Sequence, residues 1–123
     1  MKWTNKCNES FLNQKNINNI DNDTKFCIYG AGKLGGDLYK TLKHYDMFFC
    51  FIDNNHSIQE KGYKNEAVIS ENEYFKKEIK YPVIICASDK NTLLIESDLK
   101  NRGLIHNKNY YICREFTDKL LPI

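Results

Sequence analysis

The chain of 123 residues has only two prolines and one tryptophan, no C-x-x-C, and no apolar run long enough to cross a bilayer. The last absence excludes a membrane-spanning helix. No Cys/His spacing suits zinc, so no metal site is assigned. Charge of one sign is also scarce: the net charge is +2, which gives no reason to expect nucleic acid or an anionic membrane as partner. The amino terminus, MKWTNKCNES, lacks the apolar core of a signal peptide, and a cytoplasmic location is expected. Hydrophobic content of 41% with 28% charged residues is that of a soluble globular protein. The length allows one domain with a real core, but not a nucleotide-binding domain plus a separate substrate domain.

Five cysteines are present, and Cys27, Cys50, Cys86 and Cys113 all fall in apolar runs that read as strands. They read as small buried apolar residues kept reduced. His44, His56 and His106 have no Ser, Cys or carboxylate partner at triad or metal spacing, and no catalytic residue is assigned.

The informative stretch is Lys25 to Asp53. Phe26-Cys27-Ile28-Tyr29 reads as a buried parallel strand and runs into Gly30-Ala31-Gly32-Lys33-Leu34-Gly35, which fits G-x-G-x-x-G. Leu34, Leu38 and Leu42 then repeat at i, i+4, i+8, one stripe of an amphipathic helix. A second apolar run, Met47 to Ile52, ends at Asp53, where a dinucleotide-binding unit carries its acid. A side chain at Gly30 would obstruct the turn, one at Gly32 would hold a pyrophosphate off the backbone, and one at Gly35 would push the helix from the strand. The first-turn amides and the positive end of the helix dipole suit an anion. Asp53 would accept from a ribose 2′-hydroxyl and repel a 2′-phosphate, which favours NAD over NADP. Lys33 reads either as a phosphate contact or as a solvated lysine, and Gly36 as a residue needed for close strand contact. A P-loop is excluded, because Gly36 and Asp37 stand where Lys and Ser/Thr would be required. An S-adenosylmethionine site is disfavoured by Leu34 in the place of that motif's third glycine.

Around this unit, residues 1–24 form an asparagine- and lysine-rich arm in which Ser10 is placed to cap a short helix through about Ile20. Residues 25–123 form the single domain. Asn54 to Tyr63 is turn-like and reads as a loop or single turn within a crossover from Asn54 to Glu66, followed by a short strand, Ala67 to Ile69. Ser70-Glu71-Asn72-Glu73 is a capping box that starts a helix running to about Ile79. Val83 to Ala87 is a central strand, and Ser88-Asp89 caps a helix that turns Leu94, Ile95 and Leu99 to the sheet and ends at Arg102-Gly103. Asn109 to Cys113 is a fifth strand, and Arg114 to Leu121 a final helix. Alternating strands and helices predict an α/β, doubly wound, parallel five-stranded Rossmann-like sheet in the order 3-2-1-4-5. Its crevice would gather the glycine turn, Asp53, Asn54 and Ser88, the serine reading first as a helix cap and second as a contact for a sugar hydroxyl.

The segments IYGAGKLGGDLYKTL, FFCFIDNN and VIICASDKNTLLIESDLKNRGL resemble a family of small Rossmann-type domains of bacterial surface-polysaccharide metabolism. Such domains stand at the N-terminus of nucleotide-sugar dehydratases and sugar acetyltransferases, and related ones accompany methyltransferases. The resemblance covers Lys25 to about Phe116. It implies a nucleotide-type ligand, NAD(P) or a nucleotide-linked sugar such as a UDP-sugar, held by Gly30, Gly32, Lys33, Leu34, Gly35 and Asp53. The catalytic portion that follows in those enzymes has no counterpart in these residues, so chemistry is expected to need a partner or a further domain. The reading of a different class is a non-catalytic interaction domain, a homodimer built by the arm and tail through Phe11, Ile17, Phe116, Leu120 and Leu121.

Overall fold

The computed structural model describes residues 24–113. The expected arm helix, the final helix from Arg114 to Leu121 and the five apolar residues assigned to a dimer contact lie outside them. The described chain alternates β1 (Phe26–Tyr29), α1 (Lys33–His44), β2 (Phe48–Ile52), α2 (His56–Lys61), β3 (Val68–Ile69), α3 (Glu71–Lys76), β4 (Val83–Ile85), α4 (Asp89–Asn101) and β5 (Tyr110–Ile112). All four strand pairings are parallel, and the order across the five-stranded sheet is β3-β2-β1-β4-β5. The doubly wound arrangement expected from the alternation is therefore present. Crossovers running outward from β1 in opposite directions put α1 on one face and α3 and α4 on the other.

Because both faces are covered, the central strands are apolar without alternation. Phe26, Ile28, Phe51 and Ile84 pack with Leu38 and Leu42 of α1. On the opposite face Tyr29, Ile52, Val83 and Ile85 pack with Tyr74 of α3 and Leu99 of α4. Cys27, Cys50, Cys86 and Cys113 are free and buried. Among the described residues no helix is long and apolar enough to cross a membrane, and no three His, Cys, Asp or Glu side chains gather as a metal-binding set.

Several boundaries differ from the sequence reading, each for a local reason. The segment after Asp53 contains a six-residue helix, α2, where a loop or single turn was expected; the Asn55 side chain caps it by accepting the Ile58 N–H at 3.2 Å. Gly62, at φ 75°, ends it. The capping box forms as expected, with Ser70 Oγ accepting from the Glu73 N–H at 3.1 Å. Helix α3 nevertheless stops at Lys76 and not near Ile79, since Tyr74 is its deepest anchor and the following lysines and Glu78 have nothing apolar to bury. Tyr81-Pro82 then holds the chain extended. On α4, Leu94 is 60% exposed and does not face the sheet; Thr92 and Leu99 are the buried positions. Leu94 and Ile95 are neighbours about 100° apart on the helix, and the sheet takes the second. Leu34 is likewise 45% exposed, above the buried pair Leu38 and Leu42.

Candidate functional site

The turn out of β1 lies where the sheet order reverses. Gly30 sits at φ 123°, and a Cβ there would stand 2.1 Å from the Cys86 carbonyl oxygen at the end of β4. Its own N–H donates to the Ile52 carbonyl at 2.8 Å, so one residue joins the ends of β1, β2 and β4. Gly35 is equally constrained: a Cβ would lie 2.0 Å from the Gly30 carbonyl oxygen and 3.1 Å from Ile28 Cγ2, which is close helix-to-strand packing. Gly32 differs from both. Its backbone is extended, a conformation open to any residue, and a Cβ there would meet nothing within 4 Å.

Gly32 is also the N-cap of α1, and no side chain caps this helix. Helices α2, α3 and α4 are each capped by a side chain, from Asn55, Ser70 and Ser88. The first turn of α1 holds no acid either, and it begins with Lys33. A cation at the positive end of a helix dipole is unfavourable by roughly 0.3–1 kcal/mol. The local arrangement thus leaves an open, positively biased helix end in front of a glycine.

Asp53 faces this turn. Its Oδ2 accepts the Ala31 N–H at 3.0 Å and its Oδ1 accepts the Asn55 N–H at 2.9 Å. The carboxylate is partly exposed, makes no ion pair within 4.0 Å among the described residues, and as a four-site acceptor keeps capacity for further donors. Asn54, assigned with it to the site, is turned away. Its Nδ2 donates to the Tyr29 hydroxyl at 3.3 Å and its Oδ1 accepts the Glu71 N–H at 3.0 Å. Asn54 thereby braces β1 against the start of α3. The same brace contains buried Glu71, which accepts from Tyr29 Oη at 2.8 Å and pairs with Arg102 Nε at 3.2 Å. Burial, then the Glu71 bond, pushes the Tyr29 phenol well above its ordinary range.

Two residues the sequence reading passed over support the turn. The Tyr63 hydroxyl donates to the Gly32 carbonyl at 2.9 Å while its ring packs edge-on against Phe51, centroids 5.1 Å apart. Tyr63 and Glu66 exchange backbone hydrogen bonds of 3.1 and 2.9 Å around Lys64 and Asn65, both at positive φ. That is the mirror-image turn of a tight hairpin. Glu66 anchors it to α1 by accepting from Tyr39 Oη at 2.7 Å and from Lys43 Nζ at 2.9 Å. Gly36 is explained here and not by a strand: a Cβ would fall 2.8 Å from Tyr63 Oη and 3.2 Å from Lys64 Cε. Lys64 is therefore a second lysine beside the start of α1. The sequence signal was weak, because Lys-Asn is a less telling mirror-turn pair than Asn-Gly.

From the turn, a cleft of about 650 Å³ extends under α4, lined by Leu34, Ile85, Ala87, Ser88, Asp89, Thr92, Leu93, Glu96 and Ile112. Ser88 both caps α4, accepting the Asn91 N–H at 3.3 Å, and borders the cleft. Glu96 is held from behind: its Oε2 accepts from Tyr110 Oη at 2.5 Å and lies 3.5 Å from Lys100 Nζ and 3.9 Å from His106 Nδ1. The Tyr110 hydroxyl above all, then Lys100 and His106, keep this carboxyl below its ordinary range in spite of partial burial. His56 opens α2 as an exposed residue, and His44 is exposed at the end of α1. The fold thus holds Asp53 against the glycine turn at Ala31 and sets Leu34 and Ser88 in the cleft under α4, which neither Asp53 nor the turn glycines line, while the Asn54 side chain joins Tyr29 and Glu71 instead. No protein-family model, curated protein or solved structure matches this chain.

Proposed function

We propose that this chain is a nucleotide-binding module of the Rossmann type, with NAD(H) as its ligand, that serves sugar-nucleotide or surface-polysaccharide metabolism and supplies no chemistry without a partner or further domain. The carrying observation is Gly32. Gly30 and Gly35 are required by the chain's own packing, whereas Gly32 has neither a forbidden φ nor a neighbour to avoid. Helix stability would favour Ser, Asp or Asn at this N-cap over glycine by a few tenths of a kcal/mol. A bare backbone there makes sense if a diphosphate must reach the amides of α1. Asp53, already oriented by Ala31 and Asn55, supplies acceptors for a ribose. Gly30, Ala31, Gly32, Lys33, Leu34 and Gly35 would form the phosphate side and Ser88 the far wall.

The test is a thermal-shift and calorimetric panel of NAD, NADP, UDP-sugars and S-adenosylmethionine on the wild type and Gly32→Asp. NAD is expected to raise the melting temperature of the wild type and not of the variant, whose carboxylate would cap the helix itself. No shift with any member at millimolar concentration would overturn the reading.

A second reading, a homodimeric interaction module, is favoured by Leu93 and Leu94 on α4, 68% and 60% exposed in succession. Light scattering on the wild type and Leu94→Lys decides it; a monomer at every concentration of wild type removes it.

A further inference from the structure

Beyond the phosphate turn, the composition of the cleft under α4 bears on what a nucleotide would carry into it. Its floor is apolar, from Ile85, Ala87 and Ile112, with Leu34 and Leu93 at the rim. Its polar lining is Ser88, Asp89, Thr92 and Glu96, two hydroxyls and two carboxyl side chains with no Lys, Arg or His among them. The hydroxyl of Thr92 is committed to the Ala87 carbonyl at 3.1 Å. All three partners of Glu96 meet the same oxygen, Oε2, so Oε1 is left as an acceptor on a side chain only 15% exposed that lines the cleft. Lys100, 57% exposed, is screened by water and offsets only part of this charge, so a half-buried carboxylate fixed in this way still attracts cations and hydrogen-bond donors and repels anions.

We propose that Glu96 makes this cleft a charge filter: it favours the ring of more positive charge, a cationic ring over a neutral one and a neutral hydrogen-bond-donating ring over one bearing an anionic group. The inference rests on the nucleotide reading and adds the chemistry of the group beyond the diphosphate. The shared chemistry has two sources, the oxidised nicotinamide ring, which carries a positive charge and a donor carboxamide, and the hydroxylated ring of a neutral nucleotide sugar. Glu96 serves here as a specificity-determining residue with no part in bond making.

The experiment is calorimetry of the full chain with matched pairs. NAD is compared with NADH, UDP-glucose with UDP-glucuronate, and ADP serves as the probe that lacks a distal ring. In whichever pair binds, the member whose distal ring is more positive by one charge, NAD over NADH and UDP-glucose over UDP-glucuronate, is expected to bind at least about five-fold tighter, a difference of about 1 kcal/mol. Glu96→Gln, which keeps an acceptor for Tyr110, is expected to bring the ratio within about two-fold of unity while leaving ADP affinity unchanged. Equal affinities within both pairs on the wild type, or a preference for UDP-glucuronate or NADH, would overturn the filter and leave the nucleotide reading standing. A ratio that survives unchanged in Glu96→Gln would overturn the role of Glu96. Failure of every probe, ADP included, removes the nucleotide reading and the filter with it. Should Glu96→Gln not fold, the wild-type pairs alone still decide between acceptance and rejection.

Discussion

The carboxylate of Asp53 accepts the backbone N–H of Ala31 at 3.0 Å, across 22 positions of sequence. The acid at the end of β2 is thereby a structural strut of the glycine turn as well as a candidate ligand contact. Asp53→Ala would leave the amides of Ala31 and Asn55 without their acceptor. A loss of about 1–3 kcal/mol is expected from urea unfolding, together with loss of any NAD-induced shift. Asp53→Asn keeps one carbonyl acceptor and is expected to recover a good part of the stability.

Gly32→Asp is the cleaner separation of fold from binding. The open space before Gly32 admits the new side chain, and its carboxylate suits the α1 dipole. The unliganded variant is expected to be as stable as the wild type or more so, by a few tenths of a kcal/mol. Ligand binding is expected to vanish, and urea titration with and without NAD reads both effects.

Gly36→Ala is expected to show coupling with Tyr63. Alanine contributes roughly 1 kcal/mol of helix propensity, but its Cβ would stand 2.8 Å from the Tyr63 hydroxyl and displace its bond to the Gly32 carbonyl. In a Tyr63→Phe background the clash is relieved, so the same change should be more favourable than in the wild type. A double-mutant cycle with an interaction of at least about 0.5 kcal/mol is expected; additivity would argue that Tyr63 does not rest on α1.

Glu66 gives stability a dependence on acid. Lys43 first, then the Tyr39 hydroxyl, hold its carboxyl below the ordinary value of 4.5. A carboxylate depressed in the folded state binds its proton more readily when unfolded. Its contribution is full above the unfolded value and is lost as pH falls through the folded one. Glu66→Gln is expected to flatten the decline of unfolding free energy between about pH 6 and about pH 3, as measured by urea titrations across that range.

The buried thiols of Cys27 and Cys86 are expected to be unreactive while the chain is folded. Cys27 and Cys50 are register partners on neighbouring strands with sulfurs 3.8 Å apart. The bond to Cys50, then burial, pushes the Cys27 thiol well above its ordinary range. Burial does the same at Cys86, supported by its bond to Cys113. Alkylation by iodoacetamide, followed site by site by mass spectrometry, should spare Cys27 and Cys86 natively and modify them in denaturant.

What the sequence made legible was local or periodic. The capping box at Ser70 and Glu73 and the glycine turn each lie within a few residues, where a motif and its geometry coincide. The strand order followed from alternating element types. The support of the turn was not legible, because Tyr63 reaches Gly32 across 31 positions and only the folded chain brings them together. Asn54 illustrates the converse. Its position beside Asp53 suggested a shared task, yet successive side chains leaving a strand point in opposite directions, and Asn54 joins Tyr29 and Glu71. The facing of Leu94 failed similarly, since one helical step separates burial from exposure.

The bond between the Tyr63 hydroxyl and the Gly32 carbonyl reaches beyond those two atoms. A peptide unit is planar, so pinning its oxygen also fixes the heading of the N–H across the same plane, which belongs to Lys33. A tyrosine on a distant hairpin therefore aims the leading amide of α1, and that amide cannot swivel freely to follow an incoming guest. Affinity at this turn would then be governed by prior alignment, and loosening the phenol should blur the selection of anions by shape before it unfolds anything.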